Sequence, residues 1–142
     1  MVHAIPDILA QIAENKRKEM VRLLPKRRAL EAAADAAIAG RRDFQRAMEA
    51  GNPSVIAAIK QASPSKGILS LDFDPVRTAL EYQSCGAAAL SVLTDEVFFK
   101  GSLKHLEAAR SAFRLPALRK DAPIDELHVI EPAAHEANAV LL

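Results

Sequence analysis

Val55-Ile56-Ala57-Ala58-Ile59 is an apolar run held between Asn52-Pro53 and the turn-rich Ser63-Pro64-Ser65-Lys66-Gly67, and its reading decides the fold. An apolar run this short, bounded on both sides by turn residues, predicts a buried strand. The pattern then repeats downstream. Asp74-Pro75 offers a capping carboxylate followed by a proline at the first helical position, so a helix is expected from there to Cys85, with Gly86 able to take the left-handed stop. Ala88 to Leu93 reads as a second strand and Leu103 to Phe113 as a helix capped by Ser102. Pro116 to Arg119 makes a short third strand, Asp125 starts a third helix, and Ala139-Val140-Leu141-Leu142 is a fourth apolar run. Strands alternating with helices of about ten residues mean βαβ units and a parallel sheet. Such strands are covered on both faces, which accounts for their continuous apolar runs. The class is therefore α/β. A closed barrel and an open doubly wound sheet share the same right-handed unit, so pattern alone leaves both open.

Upstream the texture is helical. Ile8, Leu9, Ile12, Met20 and Leu23 recur at helical intervals between Pro6 and Leu24, and Pro25 ends the pattern. Ala29 to Ala39 favours helix and is closed by Gly40; a shorter amphipathic piece around Phe44, Ala47 and Met48 ends at Gly51. Residues 1–54 thus read as a helical extension in front of the α/β unit.

The bulk properties exclude several classes. A chain of 142 residues, half apolar and a quarter charged, is bounded to a modest globular core. A net charge of +1 gives no concentrated basic surface for nucleic acid. No apolar run approaches the ~20 residues needed to span a bilayer, and the N-terminus mixes charge into its apolar positions, unlike a secretory signal; a cytoplasmic address is expected. The single Cys85 forms no internal disulfide and reads as a small buried hydrophobe at a helix end. The four histidines lack metal-ligand spacing, so no structural metal is expected, and His105 and His128 read as structural or exposed. Lys26-Arg27-Arg28 reads as a solvated helix face. The expected partner is a small molecule.

Three stretches are more specific than pattern: IAAIKQASPSKG at 56–67, GAAALSVLTDEVFFKGS at 86–102 and LRKDAPID at 118–125. With DFDP at 72–75 and NAVLL at 138–142 in the same order, the chain resembles indole-3-glycerol phosphate synthase. The resemblance implies a partial TIM (β/α)8 barrel of four parallel strands and three crossover helices, with residues 55–142 as its first half, truncated after strand four. It also implies a carboxy-lyase of tryptophan biosynthesis, which closes the ring of 1-(2-carboxyphenylamino)-1-deoxyribulose 5-phosphate with loss of carbon dioxide, without metal or organic cofactor. Lys120 matches the general acid that protonates the substrate carbonyl oxygen. That task suits an ammonium in a desolvated pocket, where burial favours release of its proton. Lys60 matches the lysine that pairs with the substrate carboxylate and assists dehydration. Ser63, Pro64, Ser65 and Gly67 match a mobile loop after strand one, and Phe99 an aromatic residue lining the pocket. Read without their motifs, loop lysines are usually solvated charges, and Phe98-Phe99 would more often be core.

The sequence departs from the family pattern in places. Ala58 stands where the family carries a carboxylate two residues before the lysine, and Ala122 where it carries a phenylalanine that packs on the substrate. Glu136 occupies a turn position that is usually glycine and predicts a strained left-handed backbone. A complete barrel takes about 250 residues and holds its phosphate after strands seven and eight. The isolated chain is therefore expected to be inactive and either to associate through its open sheet edges, with itself or with a complementary C-terminal half, or to be part of a longer polypeptide. The alternative is a non-catalytic half-barrel module, and an unrelated sugar-phosphate isomerase barrel is a distant third.

Overall fold

The structure, a computed structural model, describes residues 7–142. Pro6, expected at the first helical position, lies outside the described residues. Helix α1 (Asp7–Leu23) is followed by a short 3-10 turn at Leu24–Lys26, helix α2 (Arg27–Ala37) and helix α3 (Phe44–Glu49). Along α1, Ile12, Lys16 and Leu23 form the buried stripe, while Gln11 bonds Asp7 on the exposed side and the half-buried Asn15 bonds Glu19, each pair one turn apart. The Asp43 carboxylate accepts from the Arg46 amide and starts α3.

The sheet follows. Strands β1 (Ile56–Ile59), β4 (Ala89–Leu93), β5 (Ala117–Lys120) and β6 (Ala139–Val140) are all parallel and lie side by side in that order. Each new strand is added next to its predecessor, with no reversal of direction across the sheet. A doubly wound sheet would place a later strand on the far side of the first; strict succession is the order of a (β/α) barrel. Between β1 and β4 come a two-residue hairpin, β2 (Ala62–Ser63) and β3 (Gly67–Ile68), and helix α4 (Pro75–Ser84). Helix α5 (Glu96–Phe99) and helix α6 (Leu103–Ala112) join β4 to β5, and helix α7 (Leu127–Ala134) joins β5 to β6. The α/β class and the four parallel strands agree with the sequence reading.

The caps are those the sequence offered. Asp74 accepts from the amides of Val76 and Arg77, Ser102 from that of His105, and Gly86 takes φ +86 after α4. Asp125 accepts from the amide of Leu127, so it caps α7 from two residues ahead of the first helical residue. Glu136 adopts φ 63 as expected of a glycine position, and its carboxylate lies 2.9 Å from the Arg110 guanidinium, which also bonds Gly40 O at 2.7 Å. Cys85 corrects an expectation. It is exposed, because the residue capping α4 lies past the packed face of the helix.

One face of the sheet carries the core. Ile59, Leu90, Val92 and Ala117 pack against Ala79 of α4, Leu106 and Ala109 of α6, and Phe113. At the β1 edge, Tyr82 of α4 donates its hydroxyl to Ala58 O at 2.9 Å, satisfying a carbonyl no neighbouring strand reaches. At the other edge, Asn138 Oδ1 accepts from Ala117 N at 2.9 Å and Asn138 N donates to Ala117 O at 2.8 Å, which sets the register of β6.

Candidate active site

Side chains alternate across a strand, so the residues between the core positions project from the opposite face. In register, Ala58 pairs with Ser91 and Ser91 with Leu118. One step further, Ile59 pairs with Val92, which places Lys60 level with Leu93; Leu93 pairs with Lys120. Lys60, Leu93 and Lys120 therefore form one row at the carboxyl ends of β1, β4 and β5. Their neighbours Ile59, Val92 and Arg119 form the corresponding row on the helix side. Two strand spacings separate the lysine backbones, about 10 Å. Both lysines are exposed, so the desolvated pocket that the resemblance implied around Lys120 is not enclosed by these residues.

The segment after β1 is not an irregular loop. Ser63 pairs with Gly67 across a turn of Pro64, Ser65 and Lys66, the Ser63 hydroxyl accepts from the Lys66 amide at 3.3 Å, and Gly67 sits at φ 67. A turn closed by a left-handed glycine is a standard hairpin connection, and this explains why turn-rich composition gave paired strands here. Leu69 N donates to Gln61 O at 2.8 Å below it. The hairpin leans on α5, whose last residue is the half-buried Phe99. The structure thus gathers the β2–β3 hairpin, α5 and the two lysines at one end of the sheet. Gly101 makes this arrangement possible: a Cβ there would meet Leu93 O at 2.2 Å, so only glycine lets the chain leaving α5 pass the end of β4.

Behind the lysine row lies a polar cluster that pattern reading missed. Arg119, buried on the helix side, donates from Nε to Thr94 Oγ1 at 2.8 Å, from Nη2 to Asp121 Oδ2 at 3.0 Å and from Nη1 to Glu131 Oε2 at 3.0 Å. Its Nη1 also lies 3.4 Å from His128 O, the carbonyl that Pro132, lacking an amide hydrogen, leaves without a helical partner. Asp121 further accepts from Thr94 Oγ1 at 2.9 Å and from its neighbour Ala122 N at 2.8 Å. Burial would push the Asp121 carboxyl up, but the charges of Arg119 and Lys16 and the hydrogen bonds outweigh it and hold the group below the usual carboxylate range. Lys16 enters from α1 with its Nζ 2.7 Å from Asp121 Oδ1, 2.9 Å from Glu19 Oε2 and 3.0 Å from Asp95 Oδ2. Burial alone would lower the Lys16 ammonium; Asp121, Glu19 and Asp95 reverse that and raise it. The signal for Lys16 in the sequence was its spacing: it stands four residues after Ile12, on the apolar stripe of α1, where a lysine needs an explanation.

His128 is buried beneath this cluster and accepts the Ile124 amide at Nδ1, and burial together with Arg119 and Lys16 lowers it. His105, edge-on to Phe73 with ring centroids 5.0 Å apart, is lowered by burial. Neither is exposed. Lys26 and Arg28 are exposed, while Arg27 bonds Glu31 and Glu126 and so ties α2 to the start of α7. Two concavities, of about 180 Å³ between α2, α7 and β6 and about 290 Å³ beside Glu19 and Arg119, lie on the helix side of the sheet, away from Lys60 and Lys120. Among the described residues no group of three or more His, Cys, Asp or Glu side chains is arranged so that it could hold a metal ion.

The sequence pattern of the family described as indole-3-glycerol phosphate synthase matches residues 9–142. Curated relatives named indole-3-glycerol phosphate synthase are similar over nearly the whole chain. That of Chlorobium luteolum is 47% identical, over 94% of this chain and 52% of its own length. That of Azoarcus is 48% identical over 96% and 53% respectively, and that of Chromobacterium violaceum 46% identical over the same shares. The chain spans about half the length of the curated relatives it matches. Sheet order, the row of lysines and this similarity along the chain agree: it belongs to the indole-3-glycerol phosphate synthase family.

Proposed function

We propose that this chain supplies the first half of a lyase that closes the indole ring, with residues 1–54 as a helical extension and 55–142 as the first four strands of the barrel. Lys120 protonates the carbonyl oxygen of an anthranilate-type, phosphorylated ketose substrate while the aromatic carbon attacks it. Lys60 holds the carboxylate that leaves as carbon dioxide and then assists dehydration. Ser63, Pro64 and Ser65 of the hairpin and Phe99 of α5 contact the substrate from the same end. The observation that supports this reading is the shared row: the register puts both lysines on one face at the carboxyl ends of their strands, where (β/α) barrels do their chemistry. The reaction needs only proton transfers and an electron-poor carbonyl, so no metal or organic cofactor is assigned. No helix among the described residues is long and apolar enough to cross a membrane, and we place the enzyme in the cytoplasm.

Catalysis on this reading requires the remaining strands, supplied by the same polypeptide or by a partner half pairing with the edges β1 and β6. The second reading, a non-catalytic half-barrel, is favoured by Ala58 and Ala122, which leave two substrate-facing positions small. The two separate by experiment. Indole-glycerol phosphate formation is followed by fluorescence with the chain alone and with the C-terminal half of the Azoarcus relative. Activity is expected only in the second case and is lost in Lys120→Ala; activity unchanged by Lys120→Ala refutes the assignment.

A further inference from the structure

The α1 helix reaches the active end of the sheet through one side chain. Lys16 is buried to 2% of its side-chain surface, and its ammonium contacts Asp95, Asp121 and Glu19. Asp95 lies two residues past the end of β4 and caps α5, its Oδ1 accepting from Phe98 N at 2.6 Å. Asp121 directly follows Lys120, whose own carbonyl accepts from Thr94 N at 3.2 Å. One nitrogen thus joins the ends of two adjacent strands, one bearing Lys120 and the other leading into the helix that carries Phe99.

We propose that Lys16 is a positioning residue for the lyase reaction, fixing the backbone of Lys120 and the α5 segment from the helix side of the sheet. The proposal rests on the reading of Lys120 as the acid. The groups facing the cluster are Glu19 from α1, Thr94 and Asp95 after β4, Arg119 from β5, Asp121 after it, and Glu131 and His128 from α7. Four carboxylates face two permanent cations. Arg119 reaches Asp121 and Glu131, so among these residues Asp95 has Lys16 as its cation. Mere filling of space does not explain an ammonium here, because a buried ion pair is often no more stabilising than apolar side chains of equal volume. Removing the ammonium leaves Asp95 and Asp121, which shared one nitrogen, as neighbouring buried anions. Their repulsion is relieved by parting the ends of β4 and β5, and that motion displaces Lys120.

Lys16→Met tests this by keeping the length and removing the charge. Amide hydrogen exchange of the full chain is expected to accelerate at Phe98, Gly101 and Ala122 and to stay unchanged in the β1–β4 ladder. With the C-terminal half supplied, kcat falls tenfold to a hundredfold, on the order expected for about 1 Å of misplacement, while KM stays within about twofold. Asp95→Asn removes only the second anchor and gives the same acceleration confined to α5 and Gly101, so the proposal stays testable should Lys16→Met not fold. Unchanged exchange, uniform acceleration in every ladder, or a rise in KM at constant kcat overturns it. If the wild-type halves turn over no substrate, the lyase reading fails, and the exchange pattern alone decides the positioning role.

Discussion

Asp121→Asn is the substitution most informative about what holds the active end together. Each carboxylate oxygen faces two donors, Oδ1 the Lys16 ammonium and Ala122 N, Oδ2 the Arg119 guanidinium and the Thr94 hydroxyl. An asparagine amide fits the same space, but whichever way it turns, its NH2 group confronts two donors, and two buried cations lose their shared anion. Breaking one partner out of a buried pair destabilises by about 3–5 kcal/mol, a large part of the roughly 5–15 kcal/mol that holds a domain. With a urea dependence of about 1–3 kcal/mol per molar, the unfolding midpoint should fall by roughly 2 M. The chain has one tyrosine and no tryptophan, so the transition is best followed by far-ultraviolet circular dichroism. The pH dependence supplies a second signature. The folded Asp121 carboxyl lies below its unfolded value, so its contribution is complete above about pH 4 and disappears as the pH falls through the folded value. Wild type should show that acid component and the variant should lack it. A loss under about 1 kcal/mol, the scale of an exposed pair, would show that these charges are solvated and refute the argument.

Two further outcomes follow from other sites. Gly101→Ala drives a Cβ onto the Leu93 carbonyl, backbone against backbone, and should destabilise by about 3 kcal/mol or more in thermal unfolding; an unchanged melting temperature would mean that the passage behind β4 is not tight. His105 and His128 are both lowered by burial, so folding favours their neutral forms. The stability this provides is complete above about pH 6.5 and is lost as the pH drops through their folded values. Urea midpoints that stay level between pH 7.5 and 5 would contradict this.

The elements that sequence pattern revealed are those with local causes. Asp74-Pro75 and Ser102 carry their caps with them, and the apolar run at 89–93 is buried throughout, whereas Ile56 at the open edge strand β1 stays exposed. The left-handed turn at Glu136 was legible only through the family resemblance, in which that position is usually glycine. Helix α5 escaped because four residues are too few to show a helical period; its cap, Asp95, makes sense only once Gly101 folds the chain back so that its amide donates to Asp95 O at 2.8 Å. The β2–β3 hairpin escaped because two paired residues leave no periodicity. The Lys16 cluster joins positions 16, 95 and 121. Charges that distant in sequence have no pattern to show, and only the inward spacing of Lys16 hinted at it.

The two faces of the sheet bear the family's chemistry and its departures unequally. In the buried cluster on the helix side the charges are paired: Asp121 has Lys16 and Arg119, Glu131 has Arg119, and the carbonyl freed by Pro132 faces the same guanidinium. On the lysine side, Ala58 lies two residues before Lys60 on the same face and presents only a methyl group where a carboxylate would sit. Ala122 follows Asp121 and keeps the one feature the cluster needs of it, a backbone amide for Oδ1. What alanine removes at these positions is contact beyond Cβ, while the strand ends are placed by backbone register and by the cluster behind them. Under the lyase reading, the loss therefore falls on the acid/base partner of Lys60 and on the contact with the substrate ring, and the cluster behind Lys120 is spared.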